Sequence, residues 1–472
     1  MNSLRPLQWA GLALGVGLGL YLLSTHLQYF GNVTFLGGIL LLEILIAGLW
    51  KYEQRLLVLM MIAFAWAGMP LPGKGAWTIG RWAVLGAGAA VGYVIWLKNP
   101  RGGFRLIHLL ALFCISAAFV SATVSPFVQM ASLKALSLLL LFLYCATGAR
   151  LAILGREARF FHGLLLAGEI TVYATAICYL GLGQPIWGNP NSLGAAMGVG
   201  IFPILLWGWV TADEPALRFR RLFALLLCTY LIKLSMARAA FAAMLLVTVI
   251  FCVGLRQYKL LAKAMGLALV LVALTGLFAP DNLSKSLGDL KDAVLYKGHK
   301  DEGVMGSRRS PWEKTVSTIK QHPWFGTGYG TSPTGEDPGF DFGTFSSSAE
   351  TAREHGSSYM TIAEWVGLLG VMPFVALLAL TVVNAGRVCV WMNRTCDPRH
   401  YSIPLAMVIV AGLAHAAFED WLFAAGYYLC VYFWVLAFVL ADLVPASMAF
   451  SPPVFERASA PRGAFRAVVP NQ

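Results

Sequence analysis

Two adjacent arginines and a tryptophan, set in an otherwise greasy chain, mark the first place where chemistry could be done. In Gly306–Gly330, "GSRRSPWEKTVSTIKQHPWFGTGYG", Arg308 and Arg309 offer guanidinium forks. Such forks stay charged and donate two parallel hydrogen bonds to a phosphate. Trp312 can stack on a ring or pack the loop. Downstream, "REHGSSYMTIAEWVGLLG" (Arg353–Gly370) supplies Glu354, His355 and Tyr359. An imidazole titrating near ~6.5 is suited to accept a hydroxyl proton. Upstream, Lys233 and Arg238 interrupt the apolar "KLSMARAAF", and "WGNPNSLG" (Trp187–Gly194) places Asn189 and Asn191 ahead of a helix. Helix N-termini favour anions. Anion binding beside proton transfer is the chemistry these residue types allow.

Each feature also has a plainer reading. Asn-Pro-Asn marks a turn, and Asn191 or Ser192 can cap the following helix. Lys233 or Arg238 can snorkel to the interface. The paired arginines can form a solvated basic patch, and a lone histidine is often structural. Pro311 fits the first turn of a helix, which places Arg308 and Arg309 just before its N-terminus; "QHP" then ends that helix.

The elements that position these groups follow from composition. Of 472 residues, 58% are hydrophobic and 12% charged, about half the charge of an ordinary soluble domain. The chain reads as an all-α polytopic membrane protein. Apolar runs able to cross a bilayer recur about fourteen times, at 7–23, 33–50, 56–70, 80–97, 106–122, 132–149, 163–181, 192–210, 222–237, 239–254, 261–279, 358–383, 402–418 and 421–442. The third is short and the ninth and tenth almost touch, so about 12–14 transmembrane helices are expected. The "MNSLRPLQWAGLALGVGLGLYLL" start lacks a small-residue cleavage site and reads as the first span.

Charge orients the runs. With the N-terminus cytoplasmic, segments 51–55, 98–105, 150–162, 211–221, 255–260 and 384–401 carry most of the loop Lys and Arg, as the positive-inside rule requires. That accounts for the net charge of +12 without nucleic acid. Both termini are then cytoplasmic, and the long polar segment 280–357 is one extracytoplasmic loop. Residues 1–442 read as a single transmembrane domain, and 443–472 as a disordered cytoplasmic tail. The eight cysteines avoid the long loop, so neither a disulfide framework nor a metal cluster is indicated. Glu43 and Glu169 fall mid-span, protonated or paired between helices; Glu419 and Asp420 form a short outer turn that could simply balance the arginines.

At these residues the sequence resembles the O-antigen ligase and polymerase family of bacterial envelope glycosyltransferases. Arg308, Trp312, Pro323, Gly326, Gly328 and Gly330 fill the positions of that family's loop pattern. "GNPNSLG" and the Arg238 of "SMARAAF" match two weaker features, and the resemblance spans roughly residues 185–375. The family commonly has His-Asn-x-Tyr-Leu followed by Glu-x-Gly-x-x-Gly. Aligned on Tyr359, Gly367 and Gly370, its His position holds Gly356, and both His355 and Glu364 stand one residue early.

The resemblance implies a fold similar to the multi-span lipid-linked-sugar glycosyltransferases. It implies transfer of a glycan from undecaprenyl diphosphate to an acceptor hydroxyl on the periplasmic side of the bacterial inner membrane. The acceptor is lipid A-core for a ligase, or a growing lipid-linked glycan for a polymerase. The reaction inverts the anomeric centre and needs neither metal, cofactor nor nucleotide sugar. On this reading Arg238, Arg308 and Arg309 hold the diphosphate, His355 or Glu354 takes the proton, and Asn189, Asn191, Trp312 and Tyr359 contact substrate. A transporter of lipid-linked oligosaccharides is the alternative of another class; it would show polar groups and broken helices near the bilayer midplane.

Overall fold

The computed structural model describes residues 33–50, 53–71, 74–184, 186–259, 261–262, 306–332 and 355–445, with isolated positions 17, 20 and 24. It is an all-α polytopic membrane fold. In lipid every backbone amide must find an internal partner, which leaves a long apolar run little choice but helix. The helices are α1 (Val33–Leu49), α2 (Glu53–Gly68), α3 (Lys74–Lys98) and α4 (Leu106–Thr123). Then come α5 (Val128–Ile153), α6 (Glu157–Gly181) and α7 (Pro190–Val210), each including a π-helical turn. They are followed by α8 (Pro215–Ser235), α9 (Arg238–Gly254), α10 (Gly306–Gln321), α11 (Ser358–Thr395), α12 (Ser402–Ala416) and α13 (Tyr428–Leu443).

Among the described residues, six helices (α3 to α7 and α11) are long and apolar enough to span a bilayer, with shorter apolar helices before, between and after them. The expected runs from 33–50 to 239–254 and from 358–383 to 421–442 are each occupied by helix, although the last becomes helical only at Tyr428. The runs 7–23 and 261–279 lie outside the described residues.

α13 is the central post. Leu429, Phe433, Trp434, Phe438 and Leu440 are buried on all its faces, with Trp434 edge-on to Phe142 of α5 and Phe433 edge-on to Trp421. Small residues let α7 approach α9. Gly194 and Gly198, one turn apart, lie against Ala237 and Ala240, the close backbone contact that membrane helices favour. α8 ends on Met236 in the left-handed conformation, and one residue later α9 begins with Arg238.

Glu169 of α6 is buried and paired across to α8, with Arg220 Nε at 2.9 Å and Arg221 Nε at 3.7 Å. This is the interhelical pairing anticipated for a mid-span carboxylate.

Candidate active site

The site forms where α11 breaks. Within this 38-residue helix, Gly367 adopts φ 66° and ψ −176°, a conformation essentially reserved for glycine. The break frees carbonyls on one side and amides on the other. The chain after α10 satisfies both. Thr327 N donates to Glu364 O (3.0 Å) and Gly328 N to Trp365 O (3.1 Å), while Leu368 N donates to Pro323 O (2.7 Å) and Leu369 N to Trp324 O (3.2 Å).

Glycine is required on both sides of this seam. A Cβ on Gly367 would lie 2.5 Å from Gly326 N and from Trp324 C and O; one on Gly326 would strike the Glu364 and Trp365 carbonyls. The Gly326, Gly328, Gly330 turn and the Glu-x-x-Gly of α11 are therefore two halves of one backbone lock. Lys134 Nζ donates to Gly330 O, and Tyr329 OH donates to Phe423 O at 2.8 Å, fixing the turn to α5 and to the α12–α13 connection.

The lock seats a buried triad. His355, fully buried, has Nε2 at 3.1 Å from Glu364 Oε1 and Nδ1 at 3.4 Å from Asp420 Oδ2. Its backbone N–H donates to the same Asp420 oxygen at 3.0 Å. Ser332 Oγ donates to Glu364 Oε1 at 3.3 Å, and Trp365 stands edge-on to the imidazole at 6.0 Å. Burial depresses the imidazole pKa, but the hydrogen bonds and charges of Asp420 and Glu364 outweigh it, and the net shift is upward from 6.5. Burial likewise raises Asp420, yet its bonds to His355 hold it below 3.8. Of the three side chains only Asp420 keeps open surface, 27% against 0% for the others.

His355 and Glu364 each stand one residue early against the resembled pattern, so their mutual spacing is kept, and they meet. His355 precedes the helix, which starts at Ser358, and Gly356 (φ 71°) turns the chain between them. The shift is absorbed in irregular backbone instead of rotating the imidazole about a helix axis.

The other predicted residues fall as follows. Asn189, and not Asn191 or Ser192, is the N-cap of α7: its Oδ1 accepts from Ser192 N at 2.7 Å. Asn191 Nδ2 donates to Glu419 Oε1 at 3.4 Å, beside Asp420. Arg238, half-buried, is the first residue of α9. α10 begins at Gly306, so Arg308 and Arg309 lie in its first turn instead of ahead of it, and Pro311 sits inside the helix. Arg309 is exposed, with Nε on Glu313 Oε1 at 2.8 Å. Trp312 Nε1 donates to Gly356 O at 3.3 Å, which ties α10 to the residue after His355. Tyr359 OH donates to Leu413 O at 2.7 Å. Glu354 lies outside the described residues.

Sequence reasoning missed two participants. Asp420, expected simply to balance the arginines, clamps His355. Arg81 of α3 donates from Nη1 to Gly426 O at 2.7 Å and lies over Trp82 at 5.1 Å, bringing a guanidinium from the first half of the chain to the turn that carries Asp420. Its setting in an apolar run was the available signal. No group of His, Cys, Asp and Glu able to hold a metal occurs among the described residues.

An all-α polytopic membrane protein with a buried His–carboxylate cluster at one end of the bundle is thus defined. Residues 223–375, roughly a third of the chain, match the protein family described as O-Antigen ligase, and the match supports assignment of the chain to the O-antigen ligase family. The matched stretch holds Arg238, Arg308, Trp312, both halves of the glycine lock, His355 and Glu364; Asp420, Asn189, Asn191 and Arg81 lie beyond it. No curated protein matches the chain.

Proposed function

We propose that this membrane protein transfers a glycan from undecaprenyl diphosphate to an acceptor hydroxyl at the periplasmic face. The observation that carries the reading is the Glu364–His355–Asp420 cluster, seated by the glycine lock within and beside the family-matched stretch. The acceptor oxygen attacks the anomeric carbon as the C–O bond to the diphosphate breaks, from the opposite face, so configuration inverts. The acceptor's proton passes to the cluster: Asp420 is its open member, with His355 behind it between two carboxylates. Glu354 is the second candidate base.

The leaving diphosphate gains negative charge. Arg238, Arg308 and Arg309 meet it, a role in which fixed guanidinium groups replace a metal. Trp312 and Tyr359 border the acceptor, and Asn189 and Asn191 hold the N-terminus of α7. The same site serves a ligase, with lipid A-core as acceptor, or a polymerase, with a lipid-linked repeat unit.

Purified protein, given a lipid-diphosphate glycan and an acceptor, should form product, and Arg238→Ala and Arg308→Ala should abolish transfer while membrane insertion persists. Full transfer by both variants would overturn the assignment. In a deletion strain, lipid A-core lacking all polymer points to a ligase, and core with one repeat unit to a polymerase.

A further inference from the structure

The end of the bundle opposite His355 carries a cavity that glycan transfer does not use. Two connections meet there, residues 99–105 between α3 and α4, and 154–156 between α5 and α6. α3 measures the separation. Arg81 bonds Gly426 near Asp420, and Lys98, at 1.5 Å per residue, lies about 26 Å further along the same helix. That is close to the hydrocarbon thickness of a bilayer, about 30 Å.

A buried ion pair anchors one wall of the cavity. Arg150, fully buried, binds the Asp442 carboxylate through Nε (2.7 Å) and Nη2 (3.1 Å), and Nη2 also donates to Gly103 O at 2.8 Å. Gly102 (φ 74°) passes so close that a Cβ would strike this guanidinium. Gly102 also lines a space of about 370 Å³, together with Arg101, Leu154, Gly155 and Arg156.

Arg101 spends one nitrogen on structure: Nη1 donates to Leu151 O (2.8 Å) and Leu154 O (3.2 Å), closing the end of α5. Among the described residues its Nε and Nη2 have no protein partner. These parallel N–H groups are the edge that grips a phosphate in two-point fashion. Beside the cavity, Phe104 and Leu106 are 70% and 56% exposed. The open edge of Arg101, with the charge of Arg156 (whose Nε and Nη1 face the Gln54 amide) beside it and an apolar skirt next to both, matches an amphiphile with an anionic head at the depth of a membrane interface.

We propose that this cavity binds the headgroup phosphate of an acidic phospholipid, with its acyl chains along Phe104 and Leu106. The lipid bridges the α3–α4 and α5–α6 connections and steadies the bundle from the end remote from the triad. This holds whatever reaction the other end performs.

The test uses full-length protein, stripped of lipid, in micelles containing phosphatidylglycerol or phosphatidylcholine. Lipid retention is read by native mass spectrometry and unfolding by heating. Phosphatidylglycerol should be retained and should raise the unfolding temperature; phosphatidylcholine should do neither. Arg101→Lys keeps the charge but loses the fork, and should weaken phosphatidylglycerol retention about fivefold, as should Arg156→Lys. Arg159→Gln, exposed outside the cavity, should leave retention unchanged. Should the arginine variants fail to fold, Phe104→Ser removes the apolar skirt alone and should still lower retention. Equal loss with Arg159→Gln would reduce the effect to general surface charge and overturn the site. Inorganic phosphate protecting as well as phosphatidylglycerol would overturn the lipid. Unchanged retention in the Arg101, Arg156 and Phe104 variants would overturn both.

Discussion

Gly367→Ala is the sharpest perturbation of the proposed site, because it touches no substrate group and no titratable side chain. The added methyl meets backbone only, at 2.5 Å from Gly326 N and from Trp324 C and O, so no flexible side chain can yield. The residue must also hold φ 66°, ψ −176°, which costs a non-glycine about 1–3 kcal/mol. The four seam hydrogen bonds, each worth about 0.5–1.5 kcal/mol net, resist undocking in wild type and variant alike. The strain and the backbone overlap together set about 3 kcal/mol or more against the locked state, a shift of over ~100-fold in its equilibrium with the undocked one. The Glu364 carbonyl would then lose the Thr327 N–H that fixes it, and His355 its seat. The variant should insert and keep its bundle, show faster thiol labelling of a cysteine placed at Thr327, and lose glycan transfer. Gly386→Ala, in the same helix with nothing within 4 Å of the added methyl, is the control and should be silent. A Gly367→Ala protein with full transfer and a protected Thr327 position would refute the lock.

Two further outcomes follow from the same geometry. His355 has a folded pKa raised above 6.5, so its stabilising contribution is complete below about pH 6.5 and is lost as pH rises through the folded value. Unfolding temperatures of wild type minus His355→Gln should shrink over that window, and Asp420→Asn should move the loss to lower pH; a difference that stays flat with pH would contradict the clamp. Arg309 pairs with Glu313 while both side chains stay largely exposed, 76% and 66%, so Arg309→Gln should change stability by no more than ~0.5 kcal/mol. A charged hydrogen bond lost from a diphosphate is worth about 1.5–3 kcal/mol, so transfer should fall at least tenfold; unchanged transfer would remove Arg309 from the anion site.

What the sequence disclosed and what it hid divide along physical lines. Burying an apolar helix in lipid is a local demand, so runs such as 80–97 and 402–418 reappear as α3 and α12. Capping is nearly local, and there the reading slipped by two or three residues, from Asn191 or Ser192: Pro190 at the first helical position pushed the cap back to Asn189. α10 starts ahead of Pro311, which as a proline inside the helix forfeits one hydrogen bond. Hydropathy is blind to dihedral angles, so the break at Gly367 lay concealed in the apolar run 358–383. Pairings across the fold were hidden altogether: His355 and Asp420 are 65 residues apart, and nothing in a short "ED" turn says which charge it faces.

The glycines carry this argument one step further. Gly326 and Gly367 appear in the sequence as two separate spacings, yet each is compelled by backbone on the opposite side of the seam, Gly367 by Gly326 and Trp324, Gly326 by Glu364 and Trp365. Neither holds a substrate in this arrangement, and both fix the height at which Glu364 meets His355. A substitution at one cannot be offset by a larger residue at the other, because both fill the same gap. The positions thus act as a single constraint, and combining Gly326→Ala with Gly367→Ala should cost less than the sum of the two separately, since the first already undocks the turn.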